Sequence, residues 1–182
     1  MAHLICDFKP VERLTIGAIG SPGQRVFLLQ ASRGMEVITL VCEKEQARAL
    51  SSGLLQLLAQ AEAPMPEDNA RVAAIQASEM DLQPVEESQF RIGQLGIGYD
   101  EESDFVVIVA YELPQEENQD IGLARFWATR EQARALAQHA QEVVEAGRPI
   151  CALCGRPIDP EGHSCPRSNG HGTIPEMPDP DV

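Results

Sequence analysis

The sequence predicts an α+β protein in which two tandem β-β-β-α repeats pack as one pseudo-twofold domain with a mainly antiparallel sheet, followed by a small C-terminal zinc-binding module. Three observations carry this prediction. The six residues 45–50, EQARAL, recur identically at 131–136. Three apolar, strand-like runs precede each copy of that segment. Cysteines and a histidine at metal-ligand spacing follow the second copy, between residues 151 and 165.

The length and composition fit one domain with an appendage. A chain of 182 residues can bury one sizeable core but does not suffice for two large domains. Hydrophobic residues make up 43% of the chain and charged residues 23%, as in ordinary globular proteins. Only 4% of the residues are aromatic, so we expect a core of mainly aliphatic side chains.

The net charge restricts the partners. At -14, the chain repels the phosphate backbones of nucleic acids and anionic membrane surfaces, so we expect neither as a partner. The N-terminus lacks a basic region followed by a long apolar run, and no stretch approaches the length of a membrane span. We therefore expect a cytoplasmic protein.

The five cysteines indicate a reducing compartment rather than a disulfide framework. Their number is odd, and three of them cluster at metal-ligand spacing. Cys6 lies in an apolar N-terminal run beside Asp7, and Cys42 ends a predicted strand beside Glu43. Neither neighbourhood lowers the pKa of a thiol, so both cysteines are predicted to be packing residues.

The first repeat is predicted to contain three strands and a helix. Residues 14–19, 26–31 and 37–42 are aliphatic or β-branched runs joined by short turns. The helix begins near Glu43, and its apolar residues recur at steps of three and four, which gives one apolar face.

The second repeat follows the same order. Its strands are predicted at 90–95, 105–111 and 123–128. Thr129 and Gln132 form a capping-box pattern at the start of the helix, and Gly147 closes it. The polar residues 114–120 stand where the first repeat has only a short turn, so we place the extra length of the second repeat there.

Neither repeat covers its own sheet with one helix, which is why the two are expected to pack about an approximate twofold axis. Two independent domains on one chain are the alternative. The predicted body spans 1–146, with repeat one at 8–62, a linker at 63–88 and repeat two at 89–146. The zinc module spans 147–172 and a disordered tail spans 173–182. Within the linker, residues 69–80 are predicted to form a short helix.

The predicted metal ligands come in two pairs. Cys151 and Cys154 form a Cys-x-x-Cys pair that Gly155 follows directly. The two-residue gap lets both thiolates face one ion, and glycine permits the tight backbone reversal. His163 and Cys165 lie two positions apart, and in an extended segment such residues project to the same side. The sequence therefore predicts one ion held by these three cysteines and His163.

His171 is the rival fourth ligand, since it also lies close to Cys165 along the chain; local geometry favours His163. Thiolates with an imidazole select zinc over magnesium or calcium. Four protein ligands leave no open coordination position, so we expect one structural zinc per chain. The alternative is that these residues bind no metal.

A catalytic zinc site of the deaminase type is disfavoured. Such a site needs a His-x-Glu element and a Pro-Cys-x-x-Cys element. Neither His3 nor His139 has a glutamate two residues on, and Ile150 separates Pro149 from Cys151.

Other catalytic patterns are also missing. The glycine-rich residues 93–98 lack the order and the lysine of a phosphate-binding loop and are predicted to form a bulge or a close strand contact. His139 has Glu142 one helical turn away, which is typical of a solvated helix flank. No catalytic residue is predicted.

A family resemblance rests on residues 8–13, 16–17, 23–31, 89–93, 154–157 and 162–170. In these segments the chain resembles an uncharacterised bacterial family, known as a domain of unknown function and described as a repeat protein. The resemblance covers nearly the whole chain and is most specific near the metal-ligand cluster. It implies a soluble cytoplasmic protein, and its histidine-before-cysteine element supports His163 as a ligand; it implies no activity.

Two functions follow as hypotheses. The first is an adaptor whose acidic body and zinc module bind a protein partner that the sequence does not identify. The second is an enzyme or small-ligand binder with a site between the two repeats. A flat or apolar patch favours the first, whereas polar side chains converging in that cleft favour the second. The sequence indicates no oligomeric state.

Overall fold

The computed structural model describes residues 2–61, 80–117, 119–147, 150–158 and 162–167. In this part of the chain, seven strands form one mixed, mostly antiparallel sheet that packs with two helices, so the α+β prediction is confirmed. Most of the predicted linker, including all of its predicted helix except Met80, lies outside the described residues, as do His171 and the predicted tail. No described helix combines the length and the apolar character that a membrane crossing requires.

The strands follow the order β1-β7-β6-β5-β4-β3-β2 across the sheet. Two neighbouring pairs, β1 with β7 and β4 with β5, are parallel, and the other four are antiparallel. The strands are β1 (Ala2–Phe8), β2 (Arg13–Ile19), β3 (Val26–Arg33), β4 (Glu36–Cys42), β5 (Phe90–Asp100), β6 (Phe105–Glu112) and β7 (Ile121–Ala128), and the helices are α1 (Lys44–Gln60) and α2 (Arg130–Glu145).

Six of the strands coincide with the predicted runs, and β1 was not predicted. Only Cys6 and Phe8 of this strand are fully buried, so its sequence shows little of the alternation that indicates a half-buried strand. β1 pairs with β7, more than 100 residues away along the chain, and no turn signal points to such a partner.

The helix starts agree with the predicted caps. Thr129 Oγ1 accepts a hydrogen bond from the Gln132 amide at 3.2 Å, and Gln132 Oε1 accepts one from the Thr129 amide at 2.9 Å. At α1, the Glu43 amide donates to Gln46 Oε1 at 2.8 Å. α2 ends at Glu145 with Ala146 as its C-cap, two residues before the predicted close.

The two halves of the sheet differ in their connections. β6 and β7 are joined by residues 113–120, where β3 and β4 are joined by only Gly34 and Met35. The register of β5 on β6 shifts between Ile92 and Gln94, which is the bulge predicted for the glycine-rich segment. A Cβ atom on Gly93 would lie 2.9 Å from the Leu113 Cα atom, so the close backbone approach requires glycine here.

The sheet curves around the helices. α1 and α2 contact each other, and α2, which follows β7, contacts β2 near the opposite edge of the sheet. The Val11 amide donates to the Trp127 carbonyl at 2.9 Å, and the next amide, of Glu12, donates to the Ser32 carbonyl at 3.0 Å. The chain between β1 and β2 thereby links β7 with β3, which requires the two ends of the sheet to approach each other.

One continuous apolar core fills the concave side. Its fully buried members come from both halves of the sheet and both helices, as a single domain requires. The largest are Ile16, Leu29, Leu40, Leu54, Ile92, Val106, Ile108, Phe126 and Leu136.

The outer face of β2–β4 is covered by residues 80–89. Gln30 is buried there, and its side chain accepts from the Gln83 amide at 2.8 Å and donates to the Gln83 carbonyl at 3.3 Å. The Gln89 amide donates to the Thr39 carbonyl at 2.9 Å. These bonds satisfy polar groups that would otherwise be buried without partners.

Neighbouring leucines of α1 provide a test of this packing. Leu54 is fully buried and Leu55 is 36% exposed. We expect Leu54→Ala to lower the free energy of unfolding by about 2–5 kcal/mol, because it leaves a cavity in the shared core. Leu55→Ala is the matched control and should cost under about 1 kcal/mol. Chemical denaturation of both variants measures the difference, and equal losses would contradict the packing described.

Candidate metal centre

A tight turn brings Cys151 and Cys154 together. The Cys151 amide donates to the Arg156 carbonyl at 2.8 Å, and the Gly155 amide donates to the Cys151 carbonyl at 2.8 Å. Gly155 has a φ of 71°, in the left-handed region that glycine enters without steric cost. An antiparallel bridge between Ile150 and Pro157 closes the turn, so the backbone itself presents both thiols on one side.

His163 and Cys165 complete the cluster. The candidate ligand atoms of the four side chains all lie within 4.8 Å of one another. Cys151 Sγ and Cys165 Sγ are 3.9 Å apart, and Cys154 Sγ lies 3.2 Å from His163 Nε2. Tetrahedral zinc–thiolate bonds place two sulfurs roughly 3.8 Å apart, so the cluster has the dimensions that zinc requires.

The thiolate forms of these cysteines would be stabilised by a cation. A hydrogen bond from the Arg156 amide lowers the pKa of Cys154, but desolvation and the neighbouring thiols of Cys151 and Cys165 outweigh it, and the net pKa is raised. Three adjacent thiolates repel one another unless a positive ion lies between them. A divalent cation favours the thiolate forms and would reverse this shift.

The surroundings hold the cluster in place. Cys151 and Cys165 are buried, whereas Cys154 and His163 are partly exposed. The Arg167 side chain donates to the Leu153 carbonyl at 2.9 Å and so ties the chain after Cys165 to the turn. All four predicted ligands therefore come together, and the set can hold a metal ion. The choice of His163 over His171 stays a prediction, since His171 lies outside the described residues.

Cys6 and Cys42 lie in the core. Desolvation by burial raises the pKa of Cys6 to about 11 and that of Cys42 to about 12. Such thiols stay protonated near neutral pH and are poor nucleophiles, in agreement with their predicted packing role.

The alternative prediction is a site in the cleft between the two repeats, and α1 and α2, one from each predicted repeat, border such a cleft. It contains a cavity of about 290 Å³. Ser51 Oγ donates to the Ala137 carbonyl at 2.7 Å, and Gln141 Nε2 donates to Glu145 Oε1 at 3.0 Å. At the same cavity, Arg48 forms an ion pair with Glu45 on its own helix. The polar groups here bond mainly to one another or to backbone.

His139 occupies a helix flank, as predicted. Its Nδ1 atom lies 3.7 Å from Glu142 Oε2, and the Glu142 side chain is largely exposed. This arrangement is an ordinary contact one helical turn apart.

Sequence reasoning missed an apolar surface on the convex side of the sheet. Alternate residues of β6 and β7 point away from the core, and cross-strand pairs such as Val107 with Trp127 and Tyr111 with Leu123 lie there partly exposed. The signal was present, because these strands are apolar at both odd and even positions. We call this surface the outer patch: Leu4, Val107, Val109, Tyr111, Leu123 and Trp127.

Charged groups surround Trp127 within the outer patch. The indole N–H donates to Asp7 Oδ1 at 2.7 Å, and Lys9 Nζ lies 3.7 Å from the ring centre. Arg125 forms an ion pair with Asp7, and this hydrogen bond holds the pKa of Asp7 below its usual value. Trp127 is thereby fixed in orientation, with part of its ring open to solvent.

The comparisons with known proteins give one match. A family model described as "Protein of unknown function (DUF3090)" matches residues 6–165, which include the whole sheet apart from the start of β1, both helices and all four clustered ligands. Neither the curated proteins nor the solved structures contain a match to this chain.

Metal analysis of ligand variants tests the centre. We expect about one zinc per chain in the purified protein, and we expect Cys154→Ser combined with Cys165→Ser to remove it, because two of the four bonds are lost. Cys6→Ala is the cysteine control and should retain the metal. Full zinc content in the double variant would rule the cluster out.

A pair of histidine variants identifies the fourth ligand. His163→Gln should weaken zinc retention against a chelator, whereas His171→Gln should retain zinc like the wild type. The reverse result would assign the fourth bond to His171.

Proposed function

The chain belongs to the family described as protein of unknown function (DUF3090), and from its structure we propose a zinc-binding adaptor: the zinc stabilises the C-terminal module, and the body binds another protein through the outer patch. The partly exposed apolar surface on β6, β7 and β1 is the observation that carries the binding part of this proposal.

A structural role for the metal follows from the donor set. Three thiolates and one imidazole occupy all four coordination positions of a tetrahedral zinc ion and leave none for a substrate or an activated water. The centre would then work by holding residues 150–158 and 162–167 together, which otherwise have few apolar contacts of their own. A bound zinc would supply four bonds that join these two neighbouring segments of the chain.

The outer patch has the composition of a protein-binding surface. Tryptophan, tyrosine and arginine are the residue types that contribute most to protein–protein affinity, and Trp127, Arg125 and Tyr111 all lie on this face. Leu4 beside them is 51% exposed. Residues 80–89 cover the corresponding face of β2–β4, whereas the patch residues of β6 and β7 stay partly exposed among the described residues.

A small-ligand or enzymatic site between the repeats is the weaker alternative. The cavity between α1 and α2 is lined by polar side chains, but several of these already bond to neighbours on their own helix. Among the described residues, none of these groups has the nucleophile–base geometry that catalysis requires.

We also propose that the runs 8–62 and 89–146 are two repeats related by an approximate twofold axis. The strands follow the order β2-β3-β4-β5-β6-β7, with β4 and β5 parallel. In a flat sheet, this order would relate the two runs by a translation. In a sheet that curves toward a closed barrel, the same order fits a twofold rotation about the barrel axis. Each helix contacts the first strand of the other run, α1 with β5 and α2 with β2. Ser51 bonds to Ala137, its own equivalent at the spacing of the EQARAL match, as residues on such an axis must.

Purification of the tagged protein from its own cells tests the adaptor role. We expect a stoichiometric protein partner with the wild type and loss of that partner with Leu4→Asp combined with Tyr111→Ala, because a charge and a truncation there disrupt an apolar contact. Leu55→Asp is the control, since Leu55 is an exposed apolar residue of α1, which packs on the other side of the sheet from the patch. A partner that both variants retain would exclude the patch.

Nucleic acids are the class of partner that the negative net charge of the chain disfavours. Because the chain carries a net charge of -14, we expect no submicromolar binding to mixed DNA or RNA even at low salt. Fluorescence anisotropy with labelled oligonucleotides measures this, and tight binding that weakens steeply with added salt would contradict a protein-binding role in the cytoplasm.

A further inference from the structure

A pocket of about 250 Å³ lies between the body and the zinc module. Two cationic side chains reach it from the body, and both walls contribute apolar groups. Among the residues that the structure describes, its lining includes no carboxylate. The residues that matter here are Arg25, Phe27, Lys44, Gly147, Ile150 and Pro157.

The two cations converge on one point. A Cβ atom built on Gly147 would lie 3.0 Å from Arg25 Nη2, 3.3 Å from Lys44 Nζ and 3.5 Å from the Val144 carbonyl oxygen, so the two charged groups are at most about 6.3 Å apart. Gly147 carries no side chain to fill that space. Two like charges at this distance repel each other unless an anion lies between them.

Arg25 is held in position, and only part of its guanidinium is occupied. Nη1 donates to the Val143 carbonyl at 3.0 Å, and the guanidinium lies 5.0 Å from the centre of the Phe27 ring. Among the residues that the structure describes, neither Arg25 nor Lys44 forms an ion pair with a carboxylate. The local positive charge is unusual in a chain with a net charge of -14.

The other half of the sheet shows what fills the matching place. Phe27 pairs with Cys42, and Val106 pairs with Ala128. Cys42 and Ala128 each end a strand just before a helix, so Phe27 and Val106 correspond to each other. Counting two residues back from Phe27 and Val106 gives Arg25 and Asp104 as corresponding positions.

Lys44 and Arg130 correspond in the same way, since each is the first residue of its helix. In the second half, Arg130 Nε donates to Asp104 Oδ1 at 2.7 Å, which forms an ion pair. The first half has Arg25 in place of that carboxylate. The exchange of an acid for a base turns an internal ion pair into two cations that need an external anion.

We propose that this pocket binds a phosphate monoester with an apolar organic group. The phosphoryl group takes the place that the Asp104 carboxylate has in the other half, and its two negative charges match Arg25 and Lys44. The organic group lies against the zinc module, where Ile150 is 60% exposed beside Pro157. This ligand site is separate from the outer patch and from the zinc ligands.

Arg25 also lies at the C-terminal end of α2, where a cation stabilises the helix dipole. That structural role accounts for the bond to Val143. Lys44 also reaches this helix end, but among the described residues it forms no hydrogen bond to it, so Lys44 separates the two explanations.

Calorimetric titration of the zinc-loaded full-length chain tests the site, with phenyl phosphate and inorganic phosphate as probes. We expect saturable binding of phenyl phosphate, about tenfold tighter than that of inorganic phosphate because the ring buries apolar surface. Lys44→Gln should weaken binding roughly tenfold or more, since it removes a charged hydrogen bond. The melting temperature of the ligand-free variant should not fall, since the substitution also relieves the repulsion from Arg25. Arg130→Gln is the matched control and should bind like the wild type.

A charge reversal provides the second variant. Arg25→Asp would place an acid beside Lys44, as in the other half, and should abolish binding of both probes while the chain stays folded. Three results would overturn the proposal: no saturable binding of phenyl phosphate by the wild type, equal affinity in wild type and Lys44→Gln, or equal affinity for the two probes.

Discussion

Leu54 of α1 and Leu136 of α2 are fully buried in the apolar core that fills the concave side of the sheet, and the other features of the molecule depend on this packing. One helix cannot cover the apolar face of three strands. The two helices therefore cover the sheet together, and each also contacts the first strand of the other half. The sheet must curve for α2 to contact both β7 and β2. That curvature joins the two halves into one core.

The candidate sites lie where this core ends. α2 ends at Glu145, and Gly147 after it leaves space beside Arg25 and Lys44. The chain then enters the turn at Cys151, whose wall residues Ile150 and Pro157 face that space. The ligand cluster, the pocket and the body are therefore adjacent, whereas the outer patch lies on the opposite side of the sheet from the core.

Local signals were enough to predict most of the elements and the metal cluster. The capping pair Thr129 and Gln132 and the Cys-x-x-Cys turn act within a few residues, so their geometry is determined by sequence spacing. β1 could not be predicted in this way, because its parallel partner β7 is distant along the chain. The cation pair was also hidden, since Arg25 and Lys44 meet only after β3 and α1 have packed beside the end of α2.

Zinc K-edge X-ray absorption of the purified full-length chain tests the zinc centre most directly. We predict a first shell of three sulfurs at about 2.3 Å and one nitrogen at about 2.0–2.1 Å, which corresponds to Cys151, Cys154, Cys165 and a histidine and leaves no bound water. A shell with an oxygen ligand, or with fewer than three sulfurs, would contradict a closed structural centre.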